Sequence, residues 1–182
     1  MHAFPCGTLF LDFVGTLRAR RSAEPTEMLA SLEALDMWFV ESGMVDASPG
    51  ADVADLMAAR RVREAIYSLT AAVLAGERLE DEALTEVNRQ AAGLPVGVRL
   101  DRGGSRHRVG TVSQALTLLA RETVETLGGP EGALLRECAR PECTQTYLDR
   151  SRGHRREWCA METCGNRVKA AAYRARRRGA TN

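Results

Sequence analysis

At 182 residues, 45 per cent of them hydrophobic, the chain has material for one medium core, or for a core with a small appendage. No apolar run approaches the ~20 residues that a bilayer-spanning helix needs, and the start, Met1-His2-Ala3-Phe4-Pro5, lacks the pattern of a secretory leader, so the expectation is a soluble, cytoplasmic chain with no membrane partner. The net charge of +1 conceals a division: positions 136–182 carry twelve Arg and Lys against five Asp and Glu, or +7, and the first 135 residues carry 13 against 19, or −6, which points to two modules.

The first 130 residues read as helical, with a core expected to be mostly Leu, Val, Ala and Met because aromatics make up only 5 per cent. Phe10, Phe13, Val14 and Leu17 follow helical spacing, as do Met28, Leu32, Leu35 and Phe39 after a Pro25-Thr26 start. Gly43 ends that helix, and Ser48-Pro49 offers the cap of a long third one carrying Val53, Leu56, Met57, Val62, Ile66, Leu69 and Val73. A fourth carries Leu84, Val87 and Ala91 and stops near Gly93; a fifth runs from about Thr111 to Leu127 and closes at Gly128-Gly129-Pro130. Between them Val96, Val98 and Leu100 alternate before a turn at Asp101 to Ser105, and His107 and Val109 follow, which reads as a short β-hairpin. The fold class expected is mainly α: a helical bundle with one hairpin over 1–130, then a small four-cysteine zinc finger over 134–182 that ends in a basic helix.

Four of the five cysteines lie in that tail as Cys138-x4-Cys143, fifteen residues, then Cys159-x4-Cys164. In a reducing compartment such clustering favours a metal over disulfides. Two knuckles supplying four thiolates make a closed tetrahedral site for one structural Zn²⁺. The competing readings are four metal-free buried cysteines, or His154 replacing one of them. A segment this small has little core beyond Tyr147, Leu148 and Trp158, so metal binding would supply much of its folding free energy, on the order of 10 kcal/mol.

Around the second knuckle stand Trp158-Cys159-Ala160-Met161, Cys164-Gly165-Asn166-Arg167, Lys169 and Tyr173-Arg174-Ala175-Arg176. This stretch resembles the CGNR zinc finger family, and Leu11-Asp12-Phe13-Val14 resembles the opening motif of the ABATE domain that precedes the finger in that family. Where the family continues Asn-Thr, this chain has Gly15-Thr16. What the resemblance implies is a bacterial transcription regulator.

The tail's cations are the candidate nucleic-acid contacts: Arg155, Arg156, Arg167, Lys169, Arg174, Arg176, Arg177 and Arg178. The alternatives are that Arg155, Arg156 and Arg167 support the thiolates, and that the terminal arginines dock on the acidic first module. Asp12, a carboxylate in an apolar helix, needs a partner: either an internal hydrogen bond from an amide or arginine, or a ligand pocket near it and the hairpin. Cys6 reads as a small buried hydrophobe and His107 as a surface histidine. No Ser-His-Asp layout, His-Glu-x-x-His or catalytic carboxylate pair is recognisable, so no catalytic residue is expected. The expectation is therefore a zinc-dependent, DNA-binding transcription regulator whose helical module senses a small-molecule effector or forms a homodimer. The other class is a zinc-stabilised adaptor that binds proteins.

Overall fold

The computed structural model describes residues 2–179, and the side chains of these except at 172, 175, 178 and 179. In chain order the elements are α1 (Leu9–Val14), β1 (Leu17–Arg18), β2 (Thr26–Glu27), α2 (Leu32–Glu41), α3 (Val53–Ala75), α4 (Asp81–Ala91), β3 (Gly97–Leu100), β4 (Arg106–Val109) and α5 (Val112–Gly128). A 3₁₀ turn over Pro130–Leu134 leads to β5 (Leu135–Glu137) and β6 (Thr146–Leu148), and a π turn over Met161–Gly165 leads to α6 (Asn166–Gly179).

The helix starts follow local capping chemistry. Asp52 accepts the amide of Asp55 at 2.8 Å and Asp55 accepts that of Asp52, a reciprocal cap that opens α3. Ser48, expected to be that cap, instead donates its hydroxyl to Asp36. Thr111 and Gln114 form the same reciprocal cap on α5. Helices α3, α4 and α5 pack on one another, and α1 lies against α3 and α5. The few aromatics are concentrated here rather than absent: Phe10, Phe13, Trp38 and Phe39 are buried, with the Phe13 and Trp38 rings 5.0 Å apart and edge-on.

Two expectations fail between Gly15 and Ser31, for one reason. Leu17 and Thr26, read as helical, lie instead in a two-residue antiparallel ladder, and the next helix starts only after the Ser31 cap. The cause is tertiary. Arg63, 3 per cent exposed on α3, needs a counter-charge, and Glu27 gives it two hydrogen bonds of 2.6 and 2.7 Å. Glu27 reaches Arg63 from extended backbone and also accepts the Leu29 amide at 2.8 Å, while Thr16 Oγ1 accepts a further Arg63 N–H at 3.1 Å.

The β3–β4 hairpin forms where expected, with Val98 opposite Arg108 and Leu100 opposite Arg106. Its alternation does not mark a buried face, because Val98, Leu100 and Val109 are all exposed. Asp46 fastens it instead, donating its amide to the Arg108 carbonyl and accepting the Arg108 amide at 2.7 Å.

Removing Arg63 takes from Glu27 its two-point partner and leaves it Arg60 at 3.8 Å. Arg63→Ala should lower stability by about 2 kcal/mol in urea denaturation. A loss under about 1 kcal/mol would mean that the pair does not hold the β1–β2 excursion.

Candidate metal centre and basic helix

The four cysteines that sequence spacing singled out come together. Cys138 follows β5 directly, and its amide donates to the Gln145 carbonyl at 3.0 Å; Cys143 sits in a turn closed by its own amide to the Arg140 carbonyl at 2.8 Å. The second pair spans the π turn, whose Gly165 amide donates to Ala160 O at 3.1 Å. All four Sγ atoms lie within 4.8 Å of one another. Cys143 and Cys159 are separated by 3.8 Å and Cys159 and Cys164 by 3.6 Å, far beyond a disulfide bond. A tetrahedron of sulfurs ~2.3 Å from a central zinc has edges of about 3.8 Å. The residues therefore fit Zn²⁺, and Cys138, Cys143, Cys159 and Cys164 form the zinc-binding site. The metal would supply a structural cross-link here, since four protein sulfurs leave no open position for catalysis. Contact between the two sulfurs lowers the Cys143 thiol, and the same contact together with burial pushes Cys159 up. Arg140 Nη1 approaches Cys164 Sγ at 3.6 Å and offsets thiolate charge. His154 is not part of the cluster, which the four sulfurs make up; its Nδ1 lies 2.8 Å from the Asp149 carbonyl.

The finger is built into the body rather than appended to it. In the β5–β6 hairpin Leu135 pairs with Leu148 and Arg136 with Tyr147, and Leu135, Tyr147 and Leu148 join the main apolar core beside α1 and α3. Leu148 donates its amide to Cys6 O at 3.1 Å, and Gln145 Nε2 donates to Leu11 O at 3.1 Å and reaches Cys6 Sγ at 2.9 Å. Two ion pairs add to this: Arg21 on Glu137 and Arg150 on Glu131.

Sequence reasoning did not foresee the place of Arg156. Its guanidinium lies 4.4 Å over the Tyr147 ring and donates to the carbonyls of Pro5 at 2.8 Å, Trp158 at 2.8 Å and Cys159. Of the two roles open to it, support of the knuckle is the one its contacts match, and it is turned inward rather than toward a solvent-side partner. The remaining candidates face outward. Arg155, Arg167, Lys169, Arg174, Arg176 and Arg177 are exposed, and every described side chain of α6 from Lys169 onward is exposed. Arg167, Lys169, Arg174 and Arg176 make no ion pair with the acidic module among the described residues; Arg177 lies 6.0 Å from the centre of the Tyr173 ring. The Arg178 side chain lies outside the described residues.

Asp12 is 5 per cent exposed and accepts the Cys6 amide at 3.0 Å, the internal bond anticipated from sequence. It also lines a cleft of about 510 Å³ between α1 and the cysteine knuckles, a volume that takes in the metal position beside Cys143, Cys159 and Cys164; the β3–β4 hairpin does not line it. Burial lifts its carboxyl from 3.8 to about 6, against the Cys6 hydrogen bonds.

Two family models cover nearly the whole chain. That for ABATE, "Putative stress-induced transcription regulator", matches residues 7–130. The chain belongs to the ABATE family. The CGNR zinc finger model matches residues 135–177, which include all four cysteines of the ABATE protein's metal site. No curated protein sequence matches the chain. Among the described residues no helix is long and apolar enough to cross a membrane.

Zinc removal from this ABATE protein should disturb more than its tail, because Cys138, Cys159 and Cys164 are continuous with the main core. Metal analysis of purified, reduced protein should give one zinc per chain, and Cys159→Ser should abolish it and lower the melting temperature of the whole chain. Full zinc content in that variant would overturn the ligand assignment. Asp12 gives a pH signature. Its folded-state value is raised, so the stability it contributes is complete below about 4 and disappears as pH rises through about 6. Asp12→Asn keeps an acceptor for Cys6 and removes that titration. Relative to wild type at the same pH, the variant should gain about 1 kcal/mol between pH 5 and pH 7.5, read from denaturant midpoints. A pH-independent difference would contradict the assignment.

Proposed function

We propose that this ABATE protein is a zinc-dependent regulator that binds DNA through the CGNR finger and α6, while the helical module senses a small-molecule effector or forms a homodimer. The observation that carries the reading is the run of exposed cations on α6. A buried metal centre anchors the helix at Cys164, and from Lys169 onward its described side chains are solvent-facing. Arg167, Lys169, Arg174 and Arg176 have no acidic partner among the described residues, so their charge is available for phosphates. Arg155, on the loop before the second knuckle, is exposed as well, as is Arg177 farther along the helix. Arg156 is left out because its donors are engaged by carbonyls. The role of zinc is positional: it fixes where the basic helix leaves the body.

A second reading, a zinc-stabilised adaptor that binds a protein rather than DNA, draws support from the exposed Leu94, Val98, Leu100 and Val109 around the β3–β4 hairpin.

Mobility shift across a salt series separates the two. DNA binding should weaken steeply with salt, with a log–log slope of roughly −0.9 per phosphate neutralised. The triple variant Arg174→Ala, Arg176→Ala, Arg177→Ala should flatten the slope by about 3 and weaken binding at least about tenfold, with zinc content unchanged. Affinity indifferent to both salt and these substitutions would exclude the first reading.

A further inference from the structure

The cleft between α1–β1 and the cysteine knuckles has its charges sorted by depth. Cys143, Cys159 and Cys164 also line it, so its volume of about 510 Å³ includes the metal's own position; the whole lies in the range of small-molecule sites, ~300–1,000 Å³. Asp12 lines it from the buried side, 5 per cent exposed, with the Cys6 amide as donor and no ion-pair partner among the described residues. Arg18 and Arg167 line it from the solvent side, both exposed, and neither makes an ion pair among the described residues. Arg18 comes from β1 of the ABATE module and Arg167 from the first turn of α6. Of the further charges on the lining, Arg140 and Glu142 pair with each other at 2.9 Å, the zinc-binding sulfurs of Cys143, Cys159 and Cys164 add negative charge on the same side as Asp12's need for a cation, and Glu162 stands on the exposed edge. Phe4 and Pro5 give part of the wall an apolar character.

A buried carboxylate without a counter-ion is costly and is relieved by a cation or a strong donor. Guanidinium groups without a partner favour a carboxylate, which they can hold in two-point contact. A simple anion would serve the rim and be repelled by the floor. A simple cation would serve the floor and leave the arginines unmet. One small molecule bearing both charges serves both.

We propose that this cleft binds a small zwitterion of the α-amino-acid class, with its ammonium toward Asp12, its carboxylate toward Arg18 and Arg167, and its side chain against Phe4 and Pro5. Because the carboxylate lies between an arginine of each module, occupancy ties the helical module to the base of α6. This gives the sensing role in the proposed function a place, although the binding itself does not depend on DNA recognition.

Calorimetric titration of the zinc-loaded full chain with each of the twenty protein amino acids tests it, with acetate and methylammonium as half-ligand controls. At least one amino acid should bind with a Kd under about 1 mM, and both controls at least about tenfold more weakly. Asp12→Asn and Arg18→Ala should each weaken that binding about tenfold or more. Arg18 is exposed, so its variant keeps the test decisive should Asp12→Asn fold poorly. Binding by none of the twenty, equal binding by acetate, or undiminished binding by Arg18→Ala would overturn the proposal. Mobility shift on the ligand-free chain is run in parallel. Its failure would remove the DNA reading and leave the calorimetric result standing.

Discussion

Four sulfurs within 4.8 Å of one another constrain the last third of the chain more than any other contact. The finger hairpin has three residues per strand, too few to be stable alone, and it contributes only Leu135, Tyr147 and Leu148 to the core. Zinc closes the loop between the knuckles, and the hairpin then has a fixed face to lay against α1 and α3. The direction of α6 follows, since the helix begins two residues after Cys164. Metal site, module packing and basic helix thus form one mechanical series.

The arginines divide by what surrounds them rather than by sequence neighbourhood. Arg20, Arg63, Arg150 and Arg156 hold loops and modules together through carboxylates and carbonyls, whereas Arg18, Arg167, Lys169, Arg174 and Arg176 are exposed and make no ion pair among the described residues. Arg155 and Arg156 are adjacent in sequence, yet one is exposed and the other stacks on Tyr147. The +7 of the tail is therefore only in part a field presented to solvent.

Much of this was legible in the sequence, and where it was not the reasons are physical. Cysteine spacing identified the zinc ligands because the chemistry demands four thiolates and little else. Helical periodicity identified α3, α4 and α5 because long amphipathic stretches decide their own structure. It failed over Leu17 to Ser31, where a long-range pair, Glu27 with Arg63, overrides local preference. The alternation of Val96, Val98 and Leu100 identified the β3–β4 hairpin, although its strand residues are exposed, because exposed strands can alternate as well. The inward turn of Arg156 left no signal, since its partners are backbone carbonyls, which every residue carries. The cleft at Asp12 was suggested only by a carboxylate out of place in an apolar helix; its other wall comes from a segment more than a hundred residues away.

One position shows how closely the two modules are fitted. At Gly15 a β-carbon would lie 2.2 Å from both the nitrogen and the oxygen of the Gln145 side-chain amide. The long amide of the finger occupies the room that a side chain on α1's exit would need, so any bulk at position 15 would turn the Gln145 side chain aside. What that turn would cost is the hydrogen bond from Gln145 Nε2 to Leu11 O at 3.1 Å, one of the fastenings that seat the finger on α1.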